Sequence, residues 1–252
     1  MSRYAKQFSL TGKVVFVTGA TGLIGEKTCL MLAAAGARVA ALDIKEGSKK
    51  SNIEYFDITD VTNIDGQLEK LLRKYKAIDG WVNLAYPRTS DWGSTLEQLT
   101  WDSLNKNVEM QMNATMWLSL KVALLMKKNK IEGSIVNFGS IYGLQANDFT
   151  VYEGTALSSP FAYSMIKAGI TNGSRYLAAY FGKDNIRVNT ICPGGVFDNQ
   201  DKKFVKNYEA KVPVGRMARA DEIAPAVVFC LSDASSYMTG STLVLDGGWT
   251  AI

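Results

Sequence analysis

Short runs of β-branched and apolar residues alternate along the chain with stretches whose apolar positions recur every three or four residues. The runs are KVVFVTG (13–19), ARVAALD (37–43), IDGWVNLA (78–85), GSIVNFGS (133–140), IRVNTICPG (186–194) and STLVLDGG (241–248). The stretches with helical periodicity are 23–35, 62–75, 97–128, 161–181 and 221–232. The runs are apolar at consecutive positions instead of alternating, which predicts strands buried on both faces. Strands of that kind separated by helices predict a doubly wound α/β architecture with a parallel central sheet. No repeat, low-complexity tract or proline-rich linker interrupts the alternation, so one domain is expected over 1–252. One segment departs from it: the stretch 144–160 is longer than an ordinary strand-to-helix connection and predicts a loop of the lid type.

Composition narrows the chemistry. At 252 residues, with 47% hydrophobic and 21% charged residues, the chain has enough material for a large core. Its formal net charge of +4 is spread out, and the cluster KKNK at 127–130 reads as a solvated helix end, so no nucleic-acid partner is expected. Histidine is absent, which removes the commonest general base and the commonest transition-metal ligand. Cys29, Cys192 and Cys230 lie far apart without paired spacing, so neither a disulfide framework nor a metal site is expected. The N-terminus is polar and no window is apolar enough to span a bilayer, so a soluble cytoplasmic protein is expected.

The first strand runs into VTGATGLIG, which sets Gly19, Gly22 and Gly25 three apart where a strand gives way to a helix. Glycines there permit a tight turn and let backbone N–H groups approach a pyrophosphate, whose charge the helix N-terminus favours. The second strand ends in Asp43, 24 positions beyond Gly19, where a carboxylate can accept hydrogen bonds from the adenosine ribose. The same negative charge would repel a 2′-phosphate, so NAD is expected over NADP. Lys45 follows two positions later and is read as solvent-exposed.

Further along, Tyr163 and Lys167 fall four apart in a helical stretch and therefore on one face. Taken in order with VTGATGLIG, Asp43, DIT (57–59), WVNLA (81–85), IVNFGS ending at Ser140, RVNTICPGG (187–195) and MTGSTLVLDGG (238–248), the pair makes the whole chain resemble the short-chain dehydrogenase/reductase family. The phrases NLAYPR, GSIYG, VYEGT, YSMIKAG and CPGGVFDNQ resemble its flagellin-modification branch, which acts on surface sugars.

The resemblance implies a Rossmann sheet of about seven strands. It also implies hydride exchange between a nicotinamide and a secondary alcohol or ketone, with Tyr163 as the acid/base. A phenol needs a neighbouring cation to act as a base near neutral pH, and Lys167 would supply it and hold the nicotinamide ribose. Ser140 would hydrogen-bond the substrate oxygen. Gly19, Thr21, Gly22, Leu23, Ile24 and Asp43 would line the dinucleotide, as would Asp57, Ile58, Asn83, Ala85, Pro193, Gly194 and Val196. Substrate contacts are expected from Tyr86, Arg88, Tyr142, Tyr152, Gly195, Asn199 and Gln200, and the segment 196–212 is expected to cover the substrate. The C-terminal tail implies a subunit interface, in a homotetramer or homodimer.

Four features differ from the family pattern. Leu23 stands where many relatives have glycine, and NLAY puts Leu84 and Tyr86 in place of a smaller pair. The fourth catalytic amide is expected at Gln111, with Asn107 and Asn113 as alternatives. Ser140 and Tyr163 lie 23 positions apart, a longer step than usual, and the intervening Asn147, Asp148, Tyr152, Glu153 and Thr155 are expected to face a hydroxyl-rich substrate. Tyr152 has Ala156, not lysine, four residues on, which leaves it a substrate or packing role. Two other readings stay open: a reductase of acyl-carrier-protein-linked ketones, which Asp43 opposes, and a dinucleotide-binding sensor with little catalysis.

Overall fold

The computed structural model describes residues 3–44 and 53–252. Lys45 lies outside the described residues. After a short N-terminal helix α1 (Arg3–Lys6), seven strands form one sheet: β1 (Val14–Thr18), β2 (Arg38–Asp43), β3 (Ile53–Tyr55), β4 (Gly80–Asn83), β5 (Ser134–Phe138), β6 (Arg187–Pro193) and β7 (Thr242–Leu245). Their order is β3-β2-β1-β4-β5-β6-β7, with every pairing parallel. The connections are α2 (Leu23–Ala34), α3 (Ile64–Tyr75), α4 (Trp101–Asn107), α5 (Ala114–Lys128), α6 (Phe161–Phe181), α7 (Lys202–Glu209) and α8 (Ala220–Leu231).

Period-two geometry explains how the apolar runs are used. On β1, Val14 and Phe16 enter a core with Leu68 of α3, Leu118 of α5 and Phe181 of α6. Val15 and Val17 point the other way, against Leu32 of α2 and Val227 of α8. All five β1 residues are buried, as expected of a central strand covered on both sides.

Three elements differ from the sequence expectation. The stretch 97–128 is not one helix. Thr100 caps α4 by accepting from the Ser103 N–H, and a π-helical turn, Val108–Asn113, separates α4 from α5. β3 is a strand of three residues that the apolar pattern does not announce. The segment 196–212 contains α7, whose N-cap Asp201 accepts from the N–H groups of Lys203 and Phe204.

Two glycines position the first turn. Gly19 has φ +68°, and a Cβ there would lie 2.7 Å from the backbone of Leu84 and Ala85, so only glycine lets β1 run this close to the residues after β4. A Cβ on Gly25 would lie 2.1 Å from the Gly19 carbonyl oxygen, so the helix start folds directly onto the turn.

Candidate active site

A cleft of about 830 Å³ opens along the carboxyl ends of β1, β2, β4, β5 and β6, where the strand order reverses. At one end lies the glycine turn. Gly22 is the N-cap of α2 and has no side-chain cap, which leaves the first N–H groups of the helix available to an anion. A Cβ on Gly22 would sit 3.3 Å from the Gly19 oxygen, so the cradle is bare because its residues are small. Asp43 ends β2 and is buried; its carboxylate accepts from the Thr21 N–H at 3.0 Å and from Thr21 Oγ1 at 2.8 Å. Asp57 is fixed by the Thr59 N–H and hydroxyl at 2.8 and 2.7 Å, beside buried Ile58. A bare glycine cradle, an uncapped helix start and a carboxylate at the second strand end together fit a dinucleotide.

At the other end, β5 stops at Phe138 and Ser140 caps a short 3-10 turn, Ile141–Gly143, accepting from the Tyr142 N–H at 3.2 Å. Gly143 makes the next contact possible: a Cβ there would lie 2.6 Å from the Lys167 carbonyl carbon. The turn therefore rests on the backbone of α6 and puts Ser140 on the same cleft wall as Tyr163. Lys167, one helical turn further on, donates to the Phe138 carbonyl at 3.0 Å. Its Nζ lies 5.6 Å from the centre of the Tyr163 ring and 5.4 Å from that of Tyr86.

The electrostatics differ from the expectation that Lys167 depresses the phenol. Burial raises the Tyr163 pKa, and the Ser140 hydroxyl is the group that pulls it down. The Lys167 ammonium faces the ring and spends a proton on Phe138, while burial lowers its own pKa to about 8.

Of the three candidate amides, Gln111 alone lines the cleft. It sits on the π turn, and its buried Oε1 has no partner while its Nε2 reaches Asn107 Oδ1 at 3.5 Å. Asn107 is spent on Thr89 and Ser103, and Asn113 is exposed.

Gly19, Thr21, Gly22, Leu23, Ile24, Ala85, Pro193, Gly194, Gly195 and Val196 all lie on the cleft wall. Tyr86, Arg88, Tyr142 and Tyr152 lie there too, but several predicted contacts are otherwise engaged. Asn199 is exposed in a left-handed turn, φ +55°, and is not on the wall. Gln200 is on the wall, yet its amide accepts from the Asp198 N–H at 2.8 Å and donates to the Val196 carbonyl at 2.7 Å, closing its own loop. The Asn83 side chain turns into the sheet, where it donates to Asn137 Oδ1 at 2.7 Å and Ser119 Oγ at 3.0 Å.

The 144–160 segment likewise uses its polar groups on itself and its neighbours. Asn147 bonds Ser159 and Ser164, Asp148 pairs with Lys211 at 2.8 Å, and the Thr155 hydroxyl donates to the Tyr152 carbonyl. Only Tyr152, Ser159 and Pro160 of that segment reach the cleft.

Sequence reasoning missed two aromatic groups. Trp92 packs edge-on against both Tyr86 and Tyr163, at 5.9 and 6.3 Å between ring centres. Tyr208 of α7 accepts from the Gly195 N–H at 2.5 Å and stacks on Trp249 at 4.5 Å. Both contacts are tertiary, and no local spacing signals them. Tyr142, at the mouth of the 3-10 turn, packs edge-on against the same Trp249.

A family model described as Enoyl-(Acyl carrier protein) reductase matches residues 19–250. The post-translational flagellin modification protein A of Campylobacter coli is 33% identical, with 95% of this chain and 99% of that protein covered. L-xylulose reductase of Caenorhabditis elegans is 31% identical over 96% of this chain and 98% of its own. Among solved structures, a short chain dehydrogenase from Leptospira borgpetersenii with bound NAD+ superposes with a TM-score of 0.88 at 35% identity, covering 99% of this chain and 96% of that one.

Proposed function

Because the chain belongs to the short-chain dehydrogenase/reductase family and is therefore an NAD(P)-dependent oxidoreductase, we propose that it interconverts a secondary alcohol and a ketone on a sugar or sugar-derived substrate, in surface-glycan or flagellin-glycan biosynthesis. The observation that carries this reading is that Ser140, Tyr163 and Lys167 line one cleft, with the Lys167 ammonium 5.6 Å from the centre of the Tyr163 ring. Tyr163 takes the proton of the substrate hydroxyl in oxidation and returns it in reduction. Ser140 holds the substrate oxygen, and Lys167 keeps a cation against the ring. Gln111 offers a buried, unpartnered carbonyl to a water that would connect the ammonium to solvent. The nicotinamide, when bound, supplies hydride exchange at the carbinol carbon.

The cofactor is NAD, not NADP. Asp43 stands at the end of β2 on the cleft wall, and its carboxylate accepts from adenosine ribose hydroxyls while opposing a 2′-phosphate. The likeness to the flagellin modification protein and to L-xylulose reductase supports a polyhydroxylated substrate, as does a wall that mixes aromatic rings with hydroxyl and amide groups. The enzyme acts in the cytoplasm as a homotetramer or homodimer. Among the described residues no helix is long and apolar enough to cross a membrane. The description of the matching family model favours a second reading, reduction of carrier-protein-linked ketones; the charge of Asp43 argues against the NADPH preference expected of it.

Tyr163→Phe should bind NADH as tightly as the wild type and lose turnover on a sugar and polyol panel by roughly two to four orders of magnitude. A variant that keeps near-normal turnover removes the acid/base role, and NADH binding with no turnover by the wild type on any ketone or alcohol points to a sensor.

A further inference from the structure

Arg88 leaves β4 behind Pro87 and is held by a ring, with no carboxylate against it. Its guanidinium carbon lies 5.1 Å from the centre of the Tyr86 ring. Among the described residues no carboxylate pairs with it and no hydrogen bond engages it. Tyr86 is itself held by aromatic packing: its ring meets Trp92 and Tyr163 edge-on. A cation held over an aromatic ring keeps its position while its N–H groups remain uncommitted, and a guanidinium so placed can grip a carboxylate through two parallel hydrogen bonds.

Three other charges on the cleft wall are already engaged: Asp43 by Thr21, Asp57 by Thr59 and Lys167 by Phe138. Arg88 is thus the cation on this wall with its donors uncommitted, one aromatic ring away from the Tyr163 phenol. Asp198 lies on the same wall, which favours a singly charged anion over a phosphate dianion.

Building on the proposed sugar oxidoreductase activity, we propose that Arg88 is a specificity residue that anchors the carboxylate of a hydroxylated acid, whose reacting carbon sits at Tyr163. The preferred substrates are then sugar acids and their keto forms, and neutral sugars are secondary. An upstream reaction of the aldehyde-oxidising or lactone-opening class would have to supply such an acid.

The test compares three matched sets of short-chain compounds, neutral polyols, the corresponding aldonic acids and the corresponding polyol phosphates, using NAD-loaded wild type, Arg88→Gln and Arg88→Lys. Turnover is read by NADH formation, and binding by calorimetry on the Tyr163→Phe background. The acids should exceed the polyols by about tenfold or more in kcat/KM and in affinity. That preference should collapse to near unity in Arg88→Gln and survive in part in Arg88→Lys, and thermal melts that match the wild type show that the fold is intact. Equal use of acids and polyols, a preference for phosphates, or an acid preference that survives Arg88→Gln overturns the anchor while leaving the oxidoreductase reading standing. Absence of binding and turnover with all three sets overturns the sugar substrate class and the anchor together.

Discussion

Burial of the Lys167 ammonium depresses its pKa from the ordinary 10.5 to about 8, so the folded protein holds this proton less firmly than the unfolded chain does. Below pH 8 both states are protonated and the native state bears the full burial cost. Between 8 and 10.5 the native lysine sheds its proton first, and the stability assigned to this group rises with pH. Lys167→Met should therefore lose turnover yet melt at or above the wild-type temperature at neutral pH, with the gain shrinking as pH climbs through that window. The Phe138 carbonyl that it stops bonding faces the cleft, where water can replace the ammonium. Tyr163 sets the direction of the pH profile. Its raised pKa keeps it a phenol near neutrality, so wild-type ketone reduction should hold there and fall at alkaline pH, while alcohol oxidation should climb. Initial rates in both directions and a calorimetric melt series check these outcomes. A lower melting temperature for the methionine variant at pH 7, or oxidation that slows with rising pH, contradicts the account.

The turn from β1 to α2 separates two jobs that a glycine motif performs at once. A Cβ on Gly25 would meet the Gly19 oxygen at 2.1 Å, so Gly25→Ala should disrupt the turn and lower the melting temperature by several degrees. A Cβ on Gly22 meets the same atom at 3.3 Å, which a shift of a few tenths of an ångström relieves; Gly22→Ala should lose less stability than Gly25→Ala and bind NADH about tenfold or more weakly. Thermal melts and NADH fluorescence titrations distinguish the two, and equal effects of both substitutions on stability would remove the distinction. This turn was legible in the sequence because its requirements are local: backbone conformation, a helix start and a strand end lie within a few residues. α6 was legible for a related reason, since a long amphipathic run after Pro160 leaves little else to form, and the helix spans Phe161–Phe181 as predicted. β3 was not legible, because three residues carry no periodicity and the strand takes its identity from pairing with β2. The π turn was hidden as well: it preserves helical composition and changes only the bonding pattern, yet it sets the orientation of Gln111. The polar residues of 144–160 were assigned to substrate on composition alone, whereas the fold uses them to tie that segment to α6, α7 and the turn after α7. Asn207 of α7 donates to the carbonyls of both Val151 and Glu153, and Lys211 pairs with Asp148.

At the scale of the whole molecule, the surfaces with the least explanation inside one chain are the outer faces of α5 and α6 and the open edge of the sheet. The two helices pack side by side. Leu177, Ala178 and Phe181 of α6 face the core, whereas Tyr176 and Tyr180, one turn apart on the other face, are 72% and 61% exposed. Trp117 and Leu124 of α5 are two turns apart and 42% and 43% exposed. β7 is the last strand of the order and, among the described residues, pairs with β6 alone; Val244 on it is partly exposed. An uncovered sheet edge invites pairing, and large apolar faces on adjacent helices lose water favourably against a copy of themselves. These surfaces support the proposed homo-oligomer. Within the chain, Trp249 stacks on Tyr208 of α7, which accepts from the Gly195 N–H at the cleft wall, so the C-terminal residues pack against α7. Sedimentation velocity should give twice or four times the 27.6 kDa chain mass. Replacing Tyr176 and Tyr180 together by glutamate should shift the population to a smaller species that still binds NADH, because neither residue reaches the cleft. A wild-type species sedimenting as a single chain at micromolar concentration would assign the exposed aromatic faces another role and leave the cleft chemistry untouched.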